Sequence, residues 1–168
     1  YSLLIFSGHH EYVTTHEYDV VTNYRDRGGN LMFLAANNFF CRVDIQGDTM
    51  HRIDTWRNLG RPEAALVGVQ YIGWNQMKYP GKPYILRYPA SAAWIFDGTE
   101  LKSGDTFGYG GIEIDHRADS SPRGLAVLGT IPDVFGKGFT GEMSWRALAQ
   151  LIVGDDELSQ ARLLQALN

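Results

Sequence analysis

Apolar positions gather first at Leu3-Leu4-Ile5-Phe6, and the run stops at Ser7-Gly8 before His9-His10-Glu11-Tyr12. A short apolar run bounded by glycine predicts a fully buried strand of the kind found inside a parallel sheet. Behind it, Thr14 and Glu17 stand at capping-box spacing, and Val20, Val21 and Tyr24 recur at helical intervals up to Arg27. Gly28-Gly29 closes that helix, because glycine adopts the left-handed conformation a helix end requires. Leu31-Met32-Phe33-Leu34-Ala35 then predicts a second buried strand. The pattern is a βαβ unit. Its right-handed crossover sets the two strands parallel and adjacent, so the loop Ala36-Asn37-Asn38-Phe39 is expected to open beside His9-His10-Glu11-Tyr12.

From Cys41 the pattern changes to alternation. Arg42-Val43-Asp44-Ile45, a turn at Gln46-Gly47-Asp48, and Met50-His51-Arg52-Ile53-Asp54 predict a hairpin. Pro62 is suited to start a short helical turn through Ala64-Ala65-Leu66, and Val67-Gly68-Val69-Gln70-Tyr71 reads as extended. Residues 73–89 hold several prolines and aromatics with little periodicity, which predicts irregular cover with a strand near Tyr84-Ile85-Leu86-Arg87-Tyr88. Ala93-Trp94-Ile95-Phe96 before Asp97-Gly98 predicts a strand and turn. A glycine-rich run leads into Ile112-Glu113-Ile114-Asp115, where alternation points Glu113 and Asp115 to the same side. Leu125-Ala126-Val127-Leu128-Gly129-Thr130 predicts a buried strand. Two helices are expected at the end, one over about 141–152 and one over 158–167, capped by Asp155-Asp156. Only one βαβ unit stands out, and there is no internal repeat. A complete doubly wound sheet needs more alternating units, so part of the sheet is expected upstream of Tyr1.

With 168 residues and 44% hydrophobic content, the chain is large enough for one folded domain with its own core. A net charge of −4, with lysine and arginine scattered, argues against nucleic acid as a partner. No apolar run approaches the roughly 18 residues that span a bilayer. The single cysteine, Cys41, allows no internal disulfide and lacks the glycine-flanked elbow of a nucleophile, so it reads as structural. Opening on Tyr1 and running straight into a strand suggests a piece of a longer protein, which leaves the compartment open.

The chemistry concentrates in the first loop. In open α/β sheets, ligands bind outside the carboxyl ends of the strands, where His9, His10, Glu11 and Tyr12 are expected. Imidazole and oxygen donors together suit iron or zinc, and a tyrosinate favours ferric iron; the bland reading is a hydrogen-bonded loop with one satisfied histidine. Asn37 or Asn38 would either orient a ligand or simply form a turn. His10-Glu11 is not a zinc-protease helix, because the next histidine is His16, too far along for that spacing. Gly108-Tyr109-Gly110-Gly111 lacks the lysine and following helix of a phosphate loop. Asp48, His51 and Asp54 read as a solvated hairpin rather than a metal cluster, since His51 and Asp54 face opposite ways. His116 reads as a surface residue. Glu113, between two isoleucines, is either partly desolvated and suited to proton transfer or paired with Arg117 or Arg61.

Gly8-His9-His10-Glu11-Tyr12 comes first in a succession of short motifs. Gly28-Gly29-Asn30-Leu31 follows, with Phe33-Leu34 and Asn37, then Trp56-Arg57, Arg61-Pro62-Glu63 and Leu66-Val67-Gly68-Val69, and finally Gly111-Ile112-Glu113-Ile114-Asp115. In that order they resemble the C-terminal domain of the N,N-dimethylformamidase large (beta) subunit family, from Tyr1 to about Ser144. The resemblance implies an α/β, flavodoxin-like three-layer domain of the class I glutamine amidotransferase type with added β-hairpins, an incomplete fragment of that fold. It implies one domain over 1–168, with a helical tail at 145–168 that departs from the family.

It further implies an iron-dependent hydrolase of a small amide C–N bond. Tyr12 matches the tyrosine of the family's H-P-E-Y-like motif and becomes a candidate iron ligand with Glu11 beside it. Glu113 matches the glutamate of G-x-E-x-D and becomes, with His10, a candidate acid/base, while His9 and Asn38 become candidate substrate contacts. The family enzyme's iron is held by two tyrosines and a glutamate. The second tyrosine would fall upstream, and the segment matched to the glutamate ligand reads Met50-His51-Arg52-Ile53-Asp54-Thr55, without a glutamate. The expected partners are a small-molecule substrate and other domains or subunits of the same parent protein, with no membrane or nucleic acid. The alternative is a non-catalytic α/β binding or scaffolding module.

Overall fold

The computed structural model describes residues 1–74, 82–108, 113–131 and 141–145. The βαβ unit is present: β1 (Leu3–Phe6), α1 (Thr15–Asp26) and β3 (Asn30–Phe33), with β1 and β3 parallel in the register Leu4 to Leu31 and Phe6 to Phe33. Thr14 caps α1 as its spacing predicts. Its Oγ1 accepts from the Glu17 N–H at 3.2 Å, and Glu17 Oε2 accepts from the Thr14 N–H at 2.8 Å. Removing this reciprocal cap with Thr14→Ala is expected to lower stability by about 1 kcal/mol, read from denaturant melts.

Between β1 and α1 lies a two-residue strand, β2 (Tyr12–Val13), which pairs parallel with β4 (Cys41–Gln46); β4 turns back into β5 (Thr49–Thr55) as the expected hairpin. Val13, Tyr18, Val21, Phe39, Trp56 and Leu66 form the main core, with Phe6, Leu31, Phe33 and Val67 packed against it. Cys41 is buried and donates from Sγ to the Asp54 carbonyl at 3.3 Å, in keeping with a structural role.

β1 and β3 are buried on one face only, not on both. Phe6, Leu31 and Phe33 meet the core, while Ile5, Met32 and Leu34 are exposed. The physical reason is that α1 covers one side of a two-stranded sheet and no described element covers the other. Pro62 precedes α2 (Glu63–Val67), so helix claims Val67, and extended backbone begins only at β6 (Gln70–Trp74) after Gly68 turns the chain at φ 101°.

β6 pairs antiparallel with β9 (Glu113–His116). A four-stranded antiparallel sheet runs in the order β11 (Gly141–Trp145), β10 (Ala126–Ile131), β7 (Tyr84–Leu86), β8 (Thr106–Phe107). Ala90–Phe96 is a 3₁₀ helix, not the expected strand at Ala93-Trp94-Ile95-Phe96; Pro89 precedes it, and short apolar runs do not distinguish the two states. Gly141–Trp145 is likewise a strand where a helix was expected, because it pairs with β10. The glycines at 110–111 and the expected helices over 146–152 and 158–167 lie outside the described residues. The result is a mixed α/β architecture of several small sheets and few helices. No helix among the described residues is long and apolar enough to cross a membrane.

Candidate active site

The loop after β3 opens against the loop after β1, as a βαβ crossover dictates. The Phe39 N–H donates to the His10 carbonyl at 2.8 Å, the Cys41 N–H to the Glu11 carbonyl at 2.9 Å, and the His10 N–H to Asn38 Oδ1 at 3.3 Å. Asn38 is buried, and its Nδ2 donates to the Ala35 carbonyl. Its amide thus ties the two loops together. Asn37, at φ 58°, and Phe39, at φ 57°, both sit in the left-handed region. Non-glycine residues hold that conformation only where surrounding contacts over-determine it.

Asn37 projects toward β9. Its Nδ2 donates to Glu113 Oε1 at 3.1 Å, and its backbone N–H donates to Asp115 Oδ1 at 2.9 Å. Glu113 and Asp115 therefore share a side of the strand, as their alternation predicts. The other oxygen of Glu113, Oε2, contacts His9 Nε2 directly. Both oxygens of this half-buried carboxylate are engaged, one by an amide and one by an imidazole that is itself 43% exposed. Neither of the expected arginines takes this place: Arg117 forks onto Glu142 at 2.9 Å through Nε and Nη2, and Arg61 pairs with Asp19 at 2.6 Å.

Of the two adjacent histidines, His9 is the one that reaches Glu113. His10 turns to the other side, 3.9 Å from Glu17 of α1, with its ring 5.3 Å from that of Phe6 and 5.8 Å from that of Phe39. Tyr12 is 40% exposed, with the Glu11 carboxylate acting on its hydroxyl and the Arg52 guanidinium 5.9 Å from its ring centre. Burial and then Glu11 hold its hydroxyl above the ordinary value, against the pull of Arg52. Carboxylate and phenolate oxygens are donors that hard cations take, and the phenol proton of Tyr12 is the one a cation would displace. Among the described residues, no three histidine, cysteine or acidic side chains group as a metal centre.

Behind this front stand groups to which the motifs give no role, although Glu63 and Asp115 lie within them. Burial above all, and then the field of Glu113, Glu11 and Asp115, hold the hydroxyl of Tyr71 on β6 above the ordinary value. Glu63 is 1% exposed and is held by Arg57, which donates to it through Nη2 and, at 3.3 Å, through Nε. Asp115 is the desolvated carboxyl of β9. Burial above all, with Glu63 and Glu113, pushes it up to about 6 against the downward pull of the Asn37 N–H and Arg57.

A value raised from 3.8 to about 6 means that the folded protein holds this proton more tightly than the unfolded chain. Ionised Asp115 therefore costs stability above pH 6, by about 3 kcal/mol at about 1.4 kcal/mol per pH unit of displacement. The cost is relieved as pH falls from about 6 toward 3.8. Asp115→Asn is accordingly expected to raise Tm at neutral pH, with the gain shrinking as the buffer is acidified, in thermal melts across that window.

A family profile described as N,N-dimethylformamidase beta subunit-like, C-terminal, matches residues 1–160. The chain belongs to that family. No curated protein matches it. Membership relates the chain to a hydrolase family and to the C-terminal part of a subunit type, which is consistent with a place in a larger protein. In this dimethylformamidase-like domain the match runs past Ser144 to residue 160, into the tail that the short motifs lead one to expect outside the family. His9, Glu11, Tyr12, Asn37, Glu113 and Asp115 all lie within the matched span.

Proposed function

We propose that this domain carries the reacting face of an iron-dependent hydrolase of small amide C–N bonds, built on a sheet related to that of class I glutamine amidotransferases. One observation carries the reading: His9 and Glu113, about a hundred residues apart, are in direct contact beside Asn37 where β1 and β3 end. Glu11 and Tyr12 are the residues that would hold the ion. When bound, iron supplies Lewis acidity toward the amide carbonyl and a nearby water.

The chain's own groups move the proton. Glu113, with Oε1 fixed by Asn37, takes a proton from the attacking water through its contact with His9 as the C–O bond forms. The half-exposed His9 returns that proton to the amide nitrogen as the C–N bond breaks, releasing a carboxylic acid and an amine. His10, turned toward Glu17, and Asn38, engaged with Ala35, support the loop instead of the substrate. The substrate is a small molecule, and the remaining partners are other parts of the parent protein.

The metal half is tested by iron content and the visible spectrum of the purified protein. Stoichiometric iron with a tyrosinate charge-transfer band, lost in Tyr12→Phe, is the expected result; a colourless, iron-free protein made from the full-length gene contradicts it. Amine release from small amides tests the hydrolytic half. A second reading, a non-catalytic binding or scaffolding module, is favoured by β5. That strand spans the segment matched to the family's glutamate ligand, and Thr49 to Asp54 on it are all exposed, with no glutamate among them.

A further inference from the structure

We propose that Asp115 is a positioning residue: by anchoring the Asn37 backbone it holds the Asn37 side chain against Glu113 and so fixes the His9–Glu113 pair for proton transfer. This rests on the hydrolase reading of that pair.

The geometry runs through one residue. Asn37 is 2% exposed and left-handed, yet its Oδ1 has no hydrogen-bond partner among the described residues. Its own oxygen therefore does nothing to hold it. What holds Asn37 is β9, through two bonds: backbone N–H to Asp115 Oδ1 at 2.9 Å and Nδ2 to Glu113 Oε1 at 3.1 Å. Glu113 and Asp115 are two residues apart on one face, so the strand repeat matches the span from backbone to side-chain amide. Without the Asp115 anchor, the left-handed turn has no other described bond to its backbone N–H, and the side chain loses its aim at Glu113.

Asp115 is an expensive way to make this contact if stability were the only demand. It is 8% exposed and faces Glu113 on its own strand, Tyr71 of the paired strand β6, Glu63 of α2, Arg57 and the Asn37 N–H. A neutral acceptor would serve packing without placing a carboxylate among two others. An ionised carboxylate, however, accepts from an N–H about twice as strongly as a neutral group, and this rigidity is what a proton-transfer geometry needs.

The test measures kcat and KM for amine release by the iron-loaded chain in wild type, Asp115→Asn, Glu113→Gln and the double variant. Alongside, the Asn37 amide signals of isotope-labelled protein are followed by NMR from about pH 5 to about pH 8. Asp115→Asn is expected to lower kcat about ten- to a hundredfold with KM nearly unchanged, and to cost nothing further when Glu113 is already glutamine. In wild type and in His9→Ala, the Asn37 backbone amide should titrate with a midpoint of about 6. In Asp115→Asn it should be flat, with the side-chain amide signals displaced.

A wild-type kcat in Asp115→Asn, or an Asn37 amide indifferent to pH in the wild type, overturns the proposal. The wild-type titration can overturn it independently of any variant. Should the wild type release no amine while Asn37 titrates as expected, the hydrolase reading fails and the anchoring stands.

Discussion

Arg57→Ala is expected to destabilise the fold by about 3–5 kcal/mol, because it leaves the Glu63 carboxylate buried and unpaired. Glu63 is 1% exposed, and Arg57 donates to it through two nitrogens, so water cannot replace what the guanidinium supplies. The same Nη2 donates to the Tyr71 carbonyl at 2.9 Å, and the guanidinium lies 5.2 Å from the Phe40 ring centre. One side chain thus ties the segment before α2 to β6. Losing its charge also removes the cation that restrains Asp115, which drives that carboxyl further toward its neutral form. Against a typical domain stability of about 5–15 kcal/mol, the loss is a large fraction. Denaturant melts check it. The double variant Arg57→Ala/Glu63→Gln should recover part of the loss, because the stranded charge is gone; a double variant as unstable as the sum of the singles would contradict this account.

Glu113→Gln is expected to lower kcat by about 10²–10⁴-fold, the usual worth of a general acid–base group. Glutamine can still accept from Asn37 Nδ2, so the loop stays in place and Tm changes little. What it cannot do is take a proton from water through His9. The loss should therefore fall on kcat with KM nearly unchanged, and His9→Ala should add little to it, because the two groups act as one unit. A Glu113→Gln protein with wild-type kcat would remove the carboxylate from the reaction.

The βαβ unit was legible because its signals are local: an apolar run, a capping box spanning Thr14 to Glu17, and a glycine pair at the helix end. The side-by-side loops followed from crossover geometry, and the shared side of Glu113 and Asp115 followed from strand alternation. The extent of burial is not encoded in such runs. An apolar run such as Leu31-Met32-Phe33-Leu34 shows that a strand has a hydrophobic face, but not how many layers lie on it, and here Met32 and Leu34 face outward.

Partner choice was not legible either. Whether His9 or His10 meets Glu113 depends on the backbone of a loop, and no periodicity encodes that. Arg117 and Arg61 were reasonable partners for Glu113 by charge, but Glu142 and Asp19 are nearer to them in the fold. Asp115 becomes the desolvated carboxyl only because Glu63 and the Asn37 loop close over it, and each of these comes from a different part of the chain. Strand β11 replaced a helix because its pairing with β10 outweighs local preference.

The measurement that most directly tests the central claim is amine release from a panel of small amides by the purified, iron-supplied protein made from the full-length gene, with Glu113→Gln run beside it. The account predicts stoichiometric release of amine and carboxylic acid by the wild type, and loss of that release in a variant that melts at the same temperature. Equal background release by both proteins would contradict it and leave the domain as a binding or scaffolding module.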